Sequence, residues 1–209
     1  MELTEKHARA LALRRERWRE LRERAEHALA GVDRVVFEPG CGHGHWLADY
    51  SAAHPERVCV GIDLVSKRIR KACAKAEKRG LRNLLFFKAE LTDFLEVLPA
   101  PVRFDMTVFL FPDPWPKARH HRRRMMQPHT LDAIGARTGP GGLLCFRSDN
   151  ADYCEWTRTL LAAHPLWIPE PEIPWPHECD TYFQDFMEDY TSLVARRSDE
   201  SAPHAQEER

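Results

Sequence analysis

The sequence predicts a doubly wound α/β fold with a mostly parallel sheet and an N-terminal helix. Two observations predict it. Short apolar runs recur at Val35 to Phe37, Val58 to Ile62, Leu84 to Phe87, Met106 to Phe111 and Leu143 to Phe146, and they read as buried strands. Between them lie segments of helical composition, Val65 to Arg79, Arg123 to Arg137 and Asp152 to Ala163. Strands that alternate with helices run parallel and are joined by crossovers.

Each end of the chain departs from this alternation. From Ala8 to Ala30 there is no proline or glycine, and Ala, Leu, Arg and Glu dominate, which predicts a long helix ending near Gly31. After Pro165 comes the proline-rich stretch WIPEPEIPWP, then an apolar run from Tyr190 to Ala195 that predicts a last strand, then a polar tail. The expected organisation is a helical arm over 1–31, one domain over 32–197 and a disordered tail over 198–209. No internal repeat is visible.

Bulk composition narrows the function classes. A chain of 209 residues is long enough to bury a sizeable core as one domain. No apolar run approaches the roughly 20 residues that span a bilayer, and the first residues lack the apolar stretch of an export signal. A cytoplasmic protein without a membrane partner is expected. The six cysteines never form a Cys-x-x-Cys pair, so neither a zinc nor a redox motif is suggested, and no metal is expected. The net charge of −1 argues against a uniformly basic nucleic-acid binder. Arginine is nevertheless concentrated at residues 14–24, RRERWRELRER, and at residues 117–124, KARHHRRR.

The first strand runs into Glu38-Pro39-Gly40-Cys41-Gly42-His43-Gly44. Closely spaced glycines let a backbone turn sharply and approach a ligand at a helix N-terminus, so a nucleotide-like ligand is implied. A dinucleotide fingerprint would place its third glycine at residue 45, where this chain has histidine, which weakens the nicotinamide reading. Glu38 before the glycines, Asp63 at the end of the second strand and Glu90 after the third make up the arrangement expected around S-adenosylmethionine. Asp63 would accept bonds from the ribose hydroxyls and Glu90 from the adenine amino group.

After the fourth strand comes Phe111-Pro112-Asp113-Pro114-Trp115-Pro116-Lys117-Ala118-Arg119-His120, followed by Arg122, Arg123 and Arg124. Here the chain resembles the bacterial tRNA (guanine-N7)-methyltransferase family, which carries FPDPWPKxRH at this place. The resemblance runs from about residue 32 to 195 and takes in the glycine turn, Gly61-Ile62-Asp63 and Ser148-Asp149. It implies a Rossmann-like, class I methyltransferase type of fold, S-adenosyl-L-methionine as cofactor and tRNA as partner. The implied reaction is methyl transfer to N7 of a guanosine, by resemblance the one in the variable loop.

Asp113 is the candidate catalytic residue, beside the methyl donor. Lys117, Arg119, Arg122, Arg123 and Arg124 suit phosphates, and Trp115 offers a stacking surface or a core side chain. Asp149 is expected to position the nucleotide. His120 and His121 lack a convincing set of metal-ligand partners. The resemblance also implies that a Thr-x-x-Glu element grips the guanine. Here it reads Thr181-Tyr182-Phe183-Gln184, with glutamine in place of the carboxylate. A glutamine has one accepting atom, whereas guanine presents two donors on that edge. Two other readings therefore stand beside the enzyme. One is an RNA-binding paralogue with weak or no activity, and the other a methyltransferase acting on a different substrate. Monomer and homodimer both remain open.

Overall fold

The computed structural model describes residues 5–179 and 189–199. Seven strands form one sheet in the order β3-β2-β1-β4-β5-β7-β6. They are β1 (Arg34–Pro39), β2 (Cys59–Asp63), β3 (Leu84–Lys88), β4 (Arg103–Leu110), β5 (Thr138–Ser148), β6 (Trp167–Pro169) and β7 (Thr191–Arg197). The first five pair in parallel, and β7 runs antiparallel to both β5 and β6. The central strands read as unbroken apolar runs because both faces of the sheet are covered. In β1, Val35, Val36 and Phe37 are each no more than 1% exposed.

Six helices cover the sheet: α1 (Glu5–Ala28), α2 (His45–Ala53), α3 (Ser66–Lys78), α4 (Leu91–Val97), α5 (Pro128–Arg137) and α6 (Ala151–Ala163). The second half of α1 packs through Leu21 and Ala25, and Leu29 just past its end continues the spacing of four on the same face. These three residues belong to the main core together with Phe37, Phe94 and Phe104. Helix α3 buries Ile69, Ala72 and Ala76 and turns its lysines and arginines outward.

Five elements differ from the sequence expectation. No helix runs over 123–137; a short 3-10 segment, Ala118–Arg123, is followed by extended backbone, and α5 starts at Pro128. The break follows from Arg124, whose side chain turns inward, and from Pro128, which lacks an N–H and therefore suits a first helical turn. Strand β5 begins at Thr138, before the apolar run. Thr138 pairs with Phe104, and a register shift follows before Met106 pairs with Leu143. Helices α2 and α4 are short and give little periodicity to read. Strand β6 lies within the proline-rich stretch, where Pro169 is tolerated because it occupies a sheet edge.

Candidate active site

The carboxyl ends of β1, β2, β3, β4 and β5 share one edge of the sheet. The strand order reverses between β1 and β4, and such a switch point opens a crevice between the loops that leave the two strands. The glycine turn leaves β1 on one side, and the Phe111–Lys117 loop leaves β4 on the other.

In the turn, Gly40, Gly42 and Gly44 take φ of 76°, 56° and 62°, a region in which side chains are strained. The amides of Gly40 and Cys41 both donate to Ile62 O, at 2.8 and 2.9 Å, and tie the turn to β2. The glycines serve different ends. A Cβ on Gly42 would meet nothing within 4 Å, so the turn faces open space there. A Cβ on Gly44 would lie 2.5 Å from the Phe86 ring, and one on Gly61 2.7 Å from the same ring. Gly44 and Gly61 are thus needed for packing against Phe86. The packing of Gly61 on Phe86, and Phe86 itself, are not legible from sequence, because this contact joins β2, β3 and the turn.

Glu38 lies under the turn, 4% exposed, with Oε2 buried and lacking a hydrogen-bond partner. Burial pushes its carboxyl from 4.5 up to about 8; Lys75 and a backbone bond from Leu47 oppose this, and the neighbouring Asp63 adds to it. Asp63 is 5% exposed and accepts from the Gly42 amide at 3.1 Å and the Val65 amide at 2.7 Å. Arg68 approaches the same carboxylate at 3.4 Å. Asp63 therefore fixes the glycine turn and the start of α3. Glu90 caps α4, its Oε2 accepting from the Thr92 amide at 2.9 Å, from the Asp93 amide at 3.3 Å and from the Thr92 hydroxyl.

Across the crevice, Phe111 and Trp115 hold φ of 46° and 45°. Each precedes a proline, and the left-handed region is uncommon for a bulky residue, so this loop stores strain of the kind that clusters at functional sites. Three groups fix it. The Phe111 amide donates to Arg147 O at 2.8 Å. Arg124 Nε donates to Pro114 O at 2.8 Å. The Arg123 guanidinium lies 4.9 Å above the Trp115 ring. Asp113 stands exposed in the middle of this loop. Beyond the loop, Met125 reaches back to the glycine turn, with its Sδ 3.7 Å from where a Gly40 Cβ would lie. That contact joins the two sides of the crevice, and no sequence signal marks Met125.

The arginine cluster divides. Arg122 and Arg123 are exposed, as are Lys117 and Arg119. Arg124 is 2% exposed, pairs with Asp152 and lies over the rings of Tyr153 and Trp156 at 4.8 and 5.3 Å. This corrects the expectation of a phosphate contact for Arg124, since its guanidinium holds the loop from inside. Asp149 is exposed after β5. Just before it, Arg147 is 2% exposed and grips Glu178 with two bonds of 2.7 and 2.6 Å, between the rings of Trp175 and Tyr190. Sequence reasoning misses this buried arginine, which is indistinguishable in sequence from a surface one. Thr181 and Gln184 lie outside the described residues.

Comparison with known proteins places this geometry. Residues 33–192 match a family described as "putative methyltransferase". A tRNA (guanine-N(7)-)-methyltransferase of Nocardia farcinica is 37% identical over 134 residues, covering 64% of this chain and 50% of that protein. One from Cutibacterium acnes is 35% identical, covering 72% of this chain and 57% of the relative. The chain spans about half the length of the curated relatives it matches. Among solved structures, a precorrin-6y C5,15-methyltransferase from Geobacter metallireducens superposes with a TM-score of 0.57 at 14% identity, covering 86% of this chain and 88% of that one. The antibiotic-resistance methyltransferase Kmr superposes at 0.55 and 21% identity, covering 84% and 93%. These likenesses concern the fold. The matched region holds the glycine turn, the strained loop and every strand of the parallel sheet, and on that ground the chain belongs to the bacterial tRNA (guanine-N7)-methyltransferase family.

Proposed function

We propose that this chain is an enzyme that methylates N7 of a guanosine in tRNA, with S-adenosyl-L-methionine as the donor, and that the guanosine is the one in the variable loop. The observation that carries the reading is the meeting of the glycine turn with the segment that follows the Phe111–Lys117 loop, through Met125 and Gly40. The residues fit the cofactor. Glu38, a buried carboxyl with an unpartnered oxygen, stands near the end of the strand that leads into the glycine turn, the turn faces open space at Gly42, and a cationic, amine-bearing ligand offers what that oxygen lacks. The cofactor, when bound, supplies an electrophilic methyl group on a cationic sulfur. Glu38, Gly40, Gly42, Gly44, Asp63 and Glu90 would hold it.

Guanine N7 has a free lone pair, so no base has to remove a proton, and positioning supplies most of the rate. Asp113 faces the base and stabilises the positive charge that the purine acquires. Lys117, Arg119, Arg122 and Arg123 bind phosphates, while Asp149, Thr181 and Gln184 orient the nucleotide. The tRNA partner puts the site of action in the cytoplasm; no helix among the described residues is long and apolar enough to cross a membrane.

The test is incubation of the purified chain with labelled cofactor and unmodified tRNA, followed by nucleoside analysis and mapping of the labelled position. Labelled 7-methylguanosine from the variable loop supports the reading. Label in another nucleoside overturns the substrate, and cofactor binding without label in tRNA makes the chain a non-catalytic paralogue.

A further inference from the structure

Three side chains of different chemistry converge on the outer side of α2, away from the Phe111–Lys117 loop in sequence. Asp49, His177 and Cys179 offer a carboxylate oxygen, an imidazole nitrogen and a sulfur that all lie within 4.8 Å of one another. His177 Nε2 is 3.0 Å from Asp49 Oδ2. Glu178, between the other two, turns to Arg147, which leaves its neighbours directed at α2. The imidazole is held before any ligand arrives. The backbone oxygen of His177 accepts from Trp46 Nε1 at 2.9 Å, and its ring meets Trp46 and Tyr50 edge-on at 6.1 and 5.6 Å. These rings screen one side of the cluster from water.

We propose that Asp49, His177 and Cys179 form a binding site for a divalent cation of borderline softness, Zn2+, with water in the fourth position. A sulfur and an imidazole beside one carboxylate favour Zn2+ over Mg2+ or Ca2+, which take oxygen ligands. The three donor atoms lie within 4.8 Å of one another, a separation that side-chain rotation closes around one cation. On binding, Cys179 gives its thiol proton to solvent and the His177–Asp49 hydrogen bond opens, the neutral imidazole keeping its one proton on the ring nitrogen that does not bind the cation. Arg79, 3.3 Å from Asp49 Oδ1, leaves Oδ2 to face the cation. The site pins residues 177–179 to the helix that starts at the glycine turn. The sequence suggested no metal because Asp49 and His177 lie 128 positions apart.

The full chain, stripped with a chelator, is titrated with Co2+ and then Zn2+. One equivalent of Co2+ should give tetrahedral visible bands and a near-ultraviolet sulfur-to-metal charge-transfer band, and Zn2+ should displace it. Cys179→Ser should abolish the charge-transfer band. His177→Ala and Asp49→Asn should weaken Zn2+ binding by at least the roughly 10- to 100-fold that loss of an outer-shell partner costs. Circular dichroism checks that the variants fold. A second measurement uses the parent chain alone: Zn2+ should slow alkylation of Cys179 by iodoacetamide, read by peptide mass spectrometry, and leave exposed Cys73 unaffected. Absence of the charge-transfer band, its persistence in Cys179→Ser, or equal alkylation of Cys179 with and without Zn2+ overturns the site.

Discussion

At Glu38 a carboxyl lies buried below a helix start with one oxygen unpaired, and its environment separates the folded from the unfolded chain by a proton. The unfolded carboxyl ionises near 4.5, and the folded one holds its proton to about 8. A raised folded value means that stability is fully present below 4.5 and is lost as pH climbs to about 8, at up to about 1.4 kcal/mol per pH unit for one proton. Melting temperature should fall across this window, and Glu38→Gln should flatten the fall; parallel profiles for the two chains would remove Glu38 as its source. Asp113 makes a different demand. Exposed in the middle of its loop, it contributes little to packing. Asp113→Ala should therefore lower turnover on tRNA by about 100-fold, the scale of removing one electrostatic stabiliser of the transition state, and leave cofactor affinity within a few-fold. Retained activity in the folded variant would make the residue structural.

The segment from Phe111 to Met126 shows how one stretch of like-charged residues takes on separate tasks. Of three consecutive arginines, Arg124 is buried whereas Arg122 and Arg123 are exposed, Arg123 over the Trp115 ring, so their removal has different effects. Arg124→Ala strips the partner from Pro114 O and leaves a void over Tyr153 and Trp156, so it should cost about 1 to 3 kcal/mol in denaturant unfolding. Arg122→Ala with Arg123→Ala should change stability by about 1 kcal/mol or less, because both side chains are exposed and the contact of Arg123 with the Trp115 ring is an exposed cation–π pair. The same pair should weaken tRNA binding and lower the log-log salt slope by about 0.7 to 0.9 for each phosphate no longer neutralised. An unaltered slope would reduce these two arginines to a solvated surface. The strained backbone at Phe111 and Trp115 is held by Arg147 O and by the Arg123 guanidinium, so the loop's shape depends on neighbours outside it.

For the whole molecule, the crevice draws on loops that follow separate strands, so ligand binding is coupled to global stability. A ligand that binds only the folded state at 100 times its Kd adds about 2.7 kcal/mol. For a chain of this size each kcal/mol moves Tm by roughly 2 to 4 °C, so saturating cofactor should raise Tm by several degrees. Gly42→Val should remove that shift, because its side chain would occupy the open side of the turn at a φ of 56°. Gly44 is the wrong position for this test, since a substitution there strikes Phe86 and perturbs packing. An undiminished shift in folded Gly42→Val would mean that the cofactor binds elsewhere.

The alternating sheet and helices, the glycine turn and the FPDPWPKxRH loop were all legible in the chain, because each is a local pattern whose meaning depends on neighbours a few residues away. Long-range partners decided the rest. The burial of Arg124 and Arg147 depends on Asp152 and Glu178, which lie 28 and 31 positions along the chain. The same distance hides the roles of Phe86 and Met125 at the glycine turn, and it hides the cluster of Asp49, His177 and Cys179. Sequence alone determined six of the seven strands, all but β6, and which residue types stand in the loops that follow them. Which arginines face solvent, which glycines serve packing and which distant ligands meet were decided by the tertiary structure, because burial and contact are properties of the packed sheet rather than of any residue's immediate neighbours.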